Sequence, residues 1–180
     1  SAASPFTYGT RYDAMRRVTG TIAPDPDGAT GPLKFAAVRN SYAAAGRLVK
    51  VETGELSAWQ SDAVAPANWT GFTVLQMVET TYDGMDRKLK EALSGRDPVT
   101  QTMTLQTVTQ YSYDIVGRVE CTAVRMNPAQ FSSLPASACT HDTAGSFGPD
   151  RIVKRVYDSA GQLLEIIEGY GTADQAREVL

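Results

Sequence analysis

Chemistry-bearing side chains are scarce in this sequence. Its 180 residues include one histidine, His141, and two cysteines, Cys121 and Cys139. A structural zinc site needs four ligands, mostly Cys and His, so neither a metal nor any other cofactor is expected. A Ser-His-Asp triad would have to use His141, and no nucleophile-elbow motif accompanies it. In "CTHD", Cys139 and His141 stand two residues apart in a Pro/Ser/Ala-rich loop. Cys–His proteases instead bring the pair together by folding, from distant positions, so the plain reading is a loop histidine beside a cysteine. The carboxylates are scattered among turns and strand ends, and no pair stands out as acid and nucleophile. No glycine-rich phosphate loop is present. The chain is not expected to be an enzyme.

Neither sign of charge dominates: 17 Lys and Arg stand against 20 Asp and Glu. A formal net charge of −3 and a pI near 5.2 give no basic footprint for nucleic acid. The longest apolar runs fall far short of a membrane span. The length suffices for one domain with a real core. The opening "SAASPF" and the closing "ADQAREVL" read as boundaries within something longer, the latter as a linker or a short helix.

What the sequence has is β-formers and a recurring turn. In "QYSYDIVGRVECTAV", residues 110–124, two runs of Thr, Val and Tyr flank Asp114-Ile115-Val116-Gly117. Asp suits the first position of a type I turn, where its carboxylate accepts backbone N–H groups. Gly suits the fourth, where a positive φ carries no Cβ penalty. Together they spell a three-residue hairpin connection with a bulge. Tyr113 ends one strand and Arg118 opens the next.

Four further copies follow the same spacing: Tyr12-Asp13…Arg17, Tyr42…Gly46-Arg47, Tyr82-Asp83…Arg87 and Tyr157-Asp158…Gly161-Gln162. The tyrosines are 30, 40, 31 and 44 residues apart, so the motif repeats while the period does not. The predicted tips are residues 12–17, 42–47, 82–87, 113–118 and 157–162. Each departure has a physical consequence. The second copy has Ala43 for Asp and loses an acceptor. The first and third have Arg16 and Asp86 at the glycine position, and Arg tolerates the left-handed region poorly. The first tip is therefore expected to be strained or differently shaped. The fifth has Gln162 for Arg, long and polar but uncharged.

Tyr-Asp-x-x-Gly-Arg between β-rich runs resembles the YD repeat of RHS-repeat proteins, and the resemblance extends from Tyr12 to about Tyr170. That family includes bacterial polymorphic toxins, the B and C components of insecticidal toxin complexes, and the animal teneurins. It implies hairpins side by side in a long sheet that spirals into a hollow shell, which can enclose a C-terminal toxin domain. It also implies a bacterial protein that is secreted or on the cell surface. Its partners would be neighbouring repeats and the enclosed domain. A DPxG-type core motif is known in the family near a self-cleavage site. "DPDG", Asp25 to Gly28, lies between the first two tips without the wider pattern and is read as a turn.

The expected fold is all-β: consecutive antiparallel hairpins in a curved sheet, one segment over residues 1–180. Strands are predicted near 6–12, 17–22, 33–42, 47–53, 72–82, 87–93, 103–113, 118–126, 151–157 and 162–168. They rarely alternate cleanly, which suits partial cover on both faces. Loop insertions 23–32, 57–71 and 127–150 are long for structureless connections and are expected to pack back over the sheet. Trp59 and Trp69 fall in the second insertion. They either plug a sheet face or form a platform for carbohydrate. Cys121 and Cys139 are either separate thiols or a disulfide stapling the third insertion to the sheet, which would contribute about 3 kcal/mol in the chain-entropy model. The functional expectation is a structural shell-wall segment. A carbohydrate-binding or adhesion module is the alternative and an enzyme the least favoured. End strands leave unpaired N–H and C=O groups, so either self-association through the edges or loops covering them is expected.

Overall fold

A computed structural model describes residues 6–28 and 31–180; residues 1–5 and 29–30, at the chain start and inside the first insertion, lie outside the described residues. The fold is all-β. Eleven antiparallel strands follow one another in chain order in one open sheet. They are β1 (Gly9–Tyr12), β2 (Val18–Ile22), β3 (Phe35–Tyr42), β4 (Leu48–Leu56), β5 (Phe72–Tyr82), β6 (Lys88–Arg96), β7 (Met103–Tyr113), β8 (Val119–Arg125), β9 (Arg151–Tyr157), β10 (Leu163–Glu168) and β11 (Ala176–Val179). Ten of these match the hairpin strands read from sequence. β4 and β6 each run three residues past the expected end, to Leu56 and Arg96.

The eleventh strand corrects the expectation of a linker or helix at the C-terminus. "AREV" is rich in helix formers, but β11 pairs with β10, matching Glu165 to Val179 and Glu168 to Ala176. An available strand edge outweighs a weak local propensity.

The residues group into two compact units, 1–79 with 94–104, and 80–93 with 105–180. In the first, one sheet face carries Gly9 and Arg11 from β1, Gly20 and Ile22 from β2, Ala37 and Arg39 from β3, and Glu52, Gly54 and Leu56 from β4. Cross-strand register puts Arg11 opposite Gly20, Gly20 opposite Arg39 and Arg39 opposite Glu52. The second insertion folds over this face. Trp69 joins Ile22, Ala37 and Leu56 in the core, with Trp59, Phe35, Val64 and Phe72 packed around them. Small residues make the seat. A Cβ on Gly20 would come within 2.6 Å of the Trp69 ring and 2.7 Å of Pro66.

The second unit repeats the plan. Cys121 and Ala123 of β8, Ile152 of β9 and Ala138 of the third insertion form one buried cluster. Ala92, Val108 and Phe131 form another, with Leu134 against it. Both insertions thus cover a sheet face, held at the tryptophans in one unit and at Phe131 and Ala138 in the other. Fully buried apolar residues gather under the insertions. Elsewhere Leu75, Leu89, Leu105 and Leu164 remain partly exposed.

Gly54 is packed directly against backbone in the first unit, since a Cβ there would sit 2.0 Å from the Thr73 carbonyl oxygen on the neighbouring β5. Gly54→Ala should lower unfolding free energy by about 2 kcal/mol or more in urea titrations. Gly84→Ala, where nothing lies within 4 Å, should leave it unchanged or slightly raised.

Candidate functional site

The tips are the chemically distinctive part of the molecule. All five close by the same two backbone bonds. The first-position N–H donates to the carbonyl four residues on, as in Asp13 to Arg17 and Asp114 to Arg118, and the fourth-position N–H returns to the first carbonyl. The fourth residue is left-handed throughout: Arg16 at φ 61°, Gly46 at 85°, Asp86 at 65°, Gly117 at 92° and Gly161 at 89°. The first tip, expected to be strained or differently shaped, keeps the common shape, with Arg16 held in the region where a side chain is disfavoured. The other strained position, Asp86, belongs to a residue type that tolerates it better.

The aspartate does two jobs. One carboxylate oxygen accepts N–H groups of its own turn: Met15 at 2.9 Å and Arg17 at 3.0 Å for Asp13, Met85 at 2.8 Å and Arg87 at 2.9 Å for Asp83, and Val116 at 3.0 Å and Arg118 at 2.9 Å for Asp114. The other takes the arginine Nε at 2.7, 2.7 and 2.6 Å respectively. The arginine is thereby folded back over its own turn and held in one plane.

That plane meets the next hairpin. In the first unit, the Arg17 guanidinium lies 4.4 Å from the centre of the Tyr42 ring. In the second, Arg87 lies 4.4 Å over Tyr113 and Arg118 lies 4.5 Å over Tyr157. Each tyrosine hydroxyl donates back to the backbone just beyond that arginine: Tyr42 to Val18 at 2.9 Å, Tyr113 to Lys88 at 2.8 Å and Tyr157 to Val119 at 3.0 Å. The next tip's glycine leaves room for the guanidinium. A Cβ on Gly46 would stand 3.3 Å from Arg17 Nη1, and one on Gly117 would stand 3.2 Å from Arg87 Nη1. Arg118 Nη1 also donates to the Asp158 carbonyl at 3.0 Å. Asp orients Arg, Arg covers the next Tyr, and Gly clears the approach. The motif is a contact between hairpins as well as a turn.

Departures from the motif show in the geometry. With Ala43 the second tip keeps its backbone bonds without a carboxylate. In the fifth, Asp158 still accepts the Gln162 N–H at 2.7 Å, but no guanidinium leaves the tip. Tyr12 has no arginine over it among the described residues, and 62% of its surface is exposed.

Buried arginines fix the insertions, a feature that sequence reading missed. Arg125 spends every N–H: on Gln110 Oε1 at 3.0 and 2.5 Å, the Thr140 carbonyl at 2.7 Å, the Ser137 carbonyl at 3.1 Å and Asp150 Oδ2 at 2.6 Å. Asp150 in turn accepts the N–H groups of Met126 at 2.9 Å and Asp142 at 2.8 Å. In the first unit Arg11 reaches the Gln60 carbonyl at 2.8 Å and Asp62 at 2.9 Å. Arg39, half-buried, holds Glu52 on the neighbouring β4 through Nε at 2.7 Å and Nη2 at 3.0 Å, and its Nη1 reaches the Pro66 carbonyl of the second insertion at 3.5 Å. The available signal was parity: Arg125 shares a strand face with Cys121 and Ala123, and Arg39 shares one with Ala37.

Cys121 of β8 and Cys139 of the third insertion are joined, with Cα atoms 5.2 Å apart. Trp69 is buried and packs edge-on against Phe72; Trp59 does the same against Phe35. Neither forms an open ring platform. His141 Nε2 lies 2.7 Å from the Tyr170 carbonyl, a bond in which the ring N–H donates, and it ties the third insertion to the turn after β10. It faces neither a thiol nor a nucleophile, since Cys139 is consumed by the disulfide. Among the described residues no group of three or more His, Cys, Asp or Glu is placed to hold a metal ion. No helix among them is long and apolar enough to cross a membrane. An open cleft of about 700 Å³ runs between the second insertion and β3–β4, lined in part by Arg11, Arg39, Lys50, Glu52 and Asp62. Its charges are largely spent on the Arg39–Glu52 and Arg11–Asp62 pairs.

No family model matches the chain, and no curated protein is similar to it. Solved structures are. A crystal structure of TcdB2-TccC3-TEV covers 96% of this chain at 14% identity with a TM-score of 0.50, and this chain spans 8% of it. A protein with unknown function from Bacteroides fragilis covers 78% of this chain, and 88% of it is covered, at 15% identity with a TM-score of 0.42. The first likeness shows a shared fold: an open antiparallel sheet of successive hairpins.

The tip carboxylates carry a pH signature. Backbone N–H donation from Arg17 and Arg87, helped by their guanidinium groups, holds Asp13 and Asp83 below the usual 3.8 against some desolvation. At Asp114 and Asp150 desolvation pushes upward but is outweighed. Donors from Arg118 lower the first; the Asp142 and Met126 N–H groups and Arg125 lower the second. The Arg39 hydrogen bonds lower Glu52 from 4.5. Folded values below the unfolded ones mean that the unfolded chain binds more protons as pH falls through that range. The stabilisation is therefore complete above the ordinary carboxylate values and lost on acidification below them. Urea midpoints should be level from about pH 8 to 5 and drop below about pH 4. An Asp13→Ser/Asp83→Ser/Asp114→Ser variant should be less stable at neutral pH with a shallower acid decline. An unchanged acid decline would contradict the assignment.

Proposed function

We propose that this chain is a wall segment of an RHS/YD-repeat protein, shielding or presenting a toxin or effector domain elsewhere in its parent polypeptide. The observation that carries the proposal is the Asp–Arg–Tyr relay, which ties hairpin to hairpin three times with one geometry. A catalytic site would gather unsatisfied reactive groups in a cleft; here the distinctive residues are consumed in joining neighbours. The shared fold with TcdB2-TccC3-TEV, a toxin-complex chain, supports the same reading. The reading is of a structural role rather than an enzymatic one, with neighbouring repeats and the enclosed domain as partners. The buried disulfide fits a bacterial protein delivered to an oxidising space, secreted or at the cell surface.

The test is limited proteolysis of the intact parent polypeptide. The enclosed domain should resist protease while the wall is native, and become sensitive when Gly54→Ala loosens the sheet and Arg125→Met loosens a cover. A domain equally sensitive in both forms would contradict a shielding wall.

A further inference from the structure

The second and third insertions are held down by different means. Under the second, large rings are the anchors: Trp69 is buried with Ile22, Ala37 and Leu56, and Trp59 packs against them. The third has its large anchors early, at Phe131 and Leu134. Beyond them, and apart from its disulfide, the stretch 135–142 buries the methyl of Ala138 and is tied by hydrogen bonds. The Pro135 carbonyl accepts from Gln110 Nε2 at 2.8 Å, and the Ala138 N–H donates to Ser112 Oγ at 2.7 Å. The Ser137 and Thr140 carbonyls accept from Arg125. Water replaces bonds of this kind when a segment lifts, at small net cost. A methyl also brings far less apolar burial than an indole. The Cys121–Cys139 bond falls within this stretch. It does for the third insertion what Trp69 does for the second.

We propose that the Cys121–Cys139 bond is a thiol-released latch. It holds residues 135–142 on the sheet in an oxidising space, and a small thiol such as glutathione frees that stretch while the sheet and the second insertion stay folded. Attack falls on Cys139, which is half-buried, because Cys121 has no exposed surface. The thiolate forms a new S–S bond to Cys139 Sγ as the Cys121–Cys139 bond breaks. The electron pair leaves on Cys121 Sγ, which takes up a proton. A second thiolate attacks the outer sulfur of the mixed disulfide, releases Cys139 as a thiol and forms the oxidised dimer of the small thiol. The chain gains two electrons and two protons, and two thiol molecules lose them. Cys121 departs into a cluster of Ala123, Ala138 and Ile152, where an apolar setting disfavours the thiolate. Exchange is therefore slow, and the latch outlasts a brief encounter with thiol. Its release removes a constraint of about a hundred-fold on opening of the closed loop. In the wall reading, on which the use of the latch rests, a wall formed in an oxidising space loosens locally once it enters a reducing one.

The test is amide hydrogen exchange of the full chain by NMR, before and after incubation with millimolar glutathione, with free thiols counted by maleimide labelling. Both cysteines should become labelled without denaturant. Exchange should then rise about ten-fold or more at the amides of Ala138, Cys139 and Asp142, which donate to Ser112 Oγ, Ser137 Oγ and Asp150 Oδ2. The amides of Trp69 and Asp114, bonded to the Pro66 and Arg118 carbonyls, should keep their rates. A Cys121→Ala/Cys139→Ala variant should show the fast pattern with or without glutathione. Three results would each overturn the proposal. The bond could resist glutathione until the chain is denatured. The reduced chain could keep its slow exchange at residues 138–142, which would make the Arg125 network sufficient. Protection could be lost throughout, which would make the bond a global staple. Each is read on this chain alone, so a failed latch leaves the protection of an enclosed domain standing, and loss of that protection leaves the latch standing.

Discussion

The structure depends on an arginine held flat by its own turn and laid on the tyrosine of the next. A free arginine side chain loses rotamer entropy when it is pinned, and an exposed cation–π contact on its own contributes little. The aspartate changes that balance. It accepts two turn N–H groups and fixes the guanidinium in the same act, so the side chain is ordered by the turn before it meets its neighbour. A local motif thereby acquires a consequence one hairpin away. This matters because the turn fixes register within a hairpin but not between one hairpin and the next, where a slip of one residue would turn every side chain to the wrong face.

The two insertions solve a second problem, that a single open sheet buries little apolar surface. Each folds over a face, and each is fixed by arginines whose hydrogen bonds are met by insertion carbonyls or carboxylates. Arg125 satisfies all five donors inside the second unit, which is the condition under which a buried charge is tolerated. Ion pairs here locate the loops, while Trp69, Phe131 and Ala138 supply the apolar contact.

The hairpins were legible because turn chemistry is local. Asp and Gly at fixed spacing specify the type I turn with its left-handed fourth residue, and the five tips follow. The covering role of the second and third insertions was legible from their length. What lay beyond sequence was partner choice across strands. Nothing in Tyr113 or Arg87 alone says that they touch, because the intervening residues vary in number. Arg11, Arg39 and Arg125 read as surface charges until strand parity is set against a covered face. β11 was missed for the opposite reason, since its residues favour helix and only the free edge of β10 makes them a strand. The tryptophans were ambiguous by nature, as the same ring serves a sugar or a core. Gly20, which makes the seat for Trp69, settles where that ring goes.

The most direct measurement of the account is a double-mutant cycle between neighbouring hairpins, Arg118→Gln and Tyr157→Leu, with stabilities from urea unfolding. The account predicts a coupling of about 1 kcal/mol between two residues 39 positions apart. Additivity within about 0.3 kcal/mol would contradict it, and would reduce the motif to five independent turns.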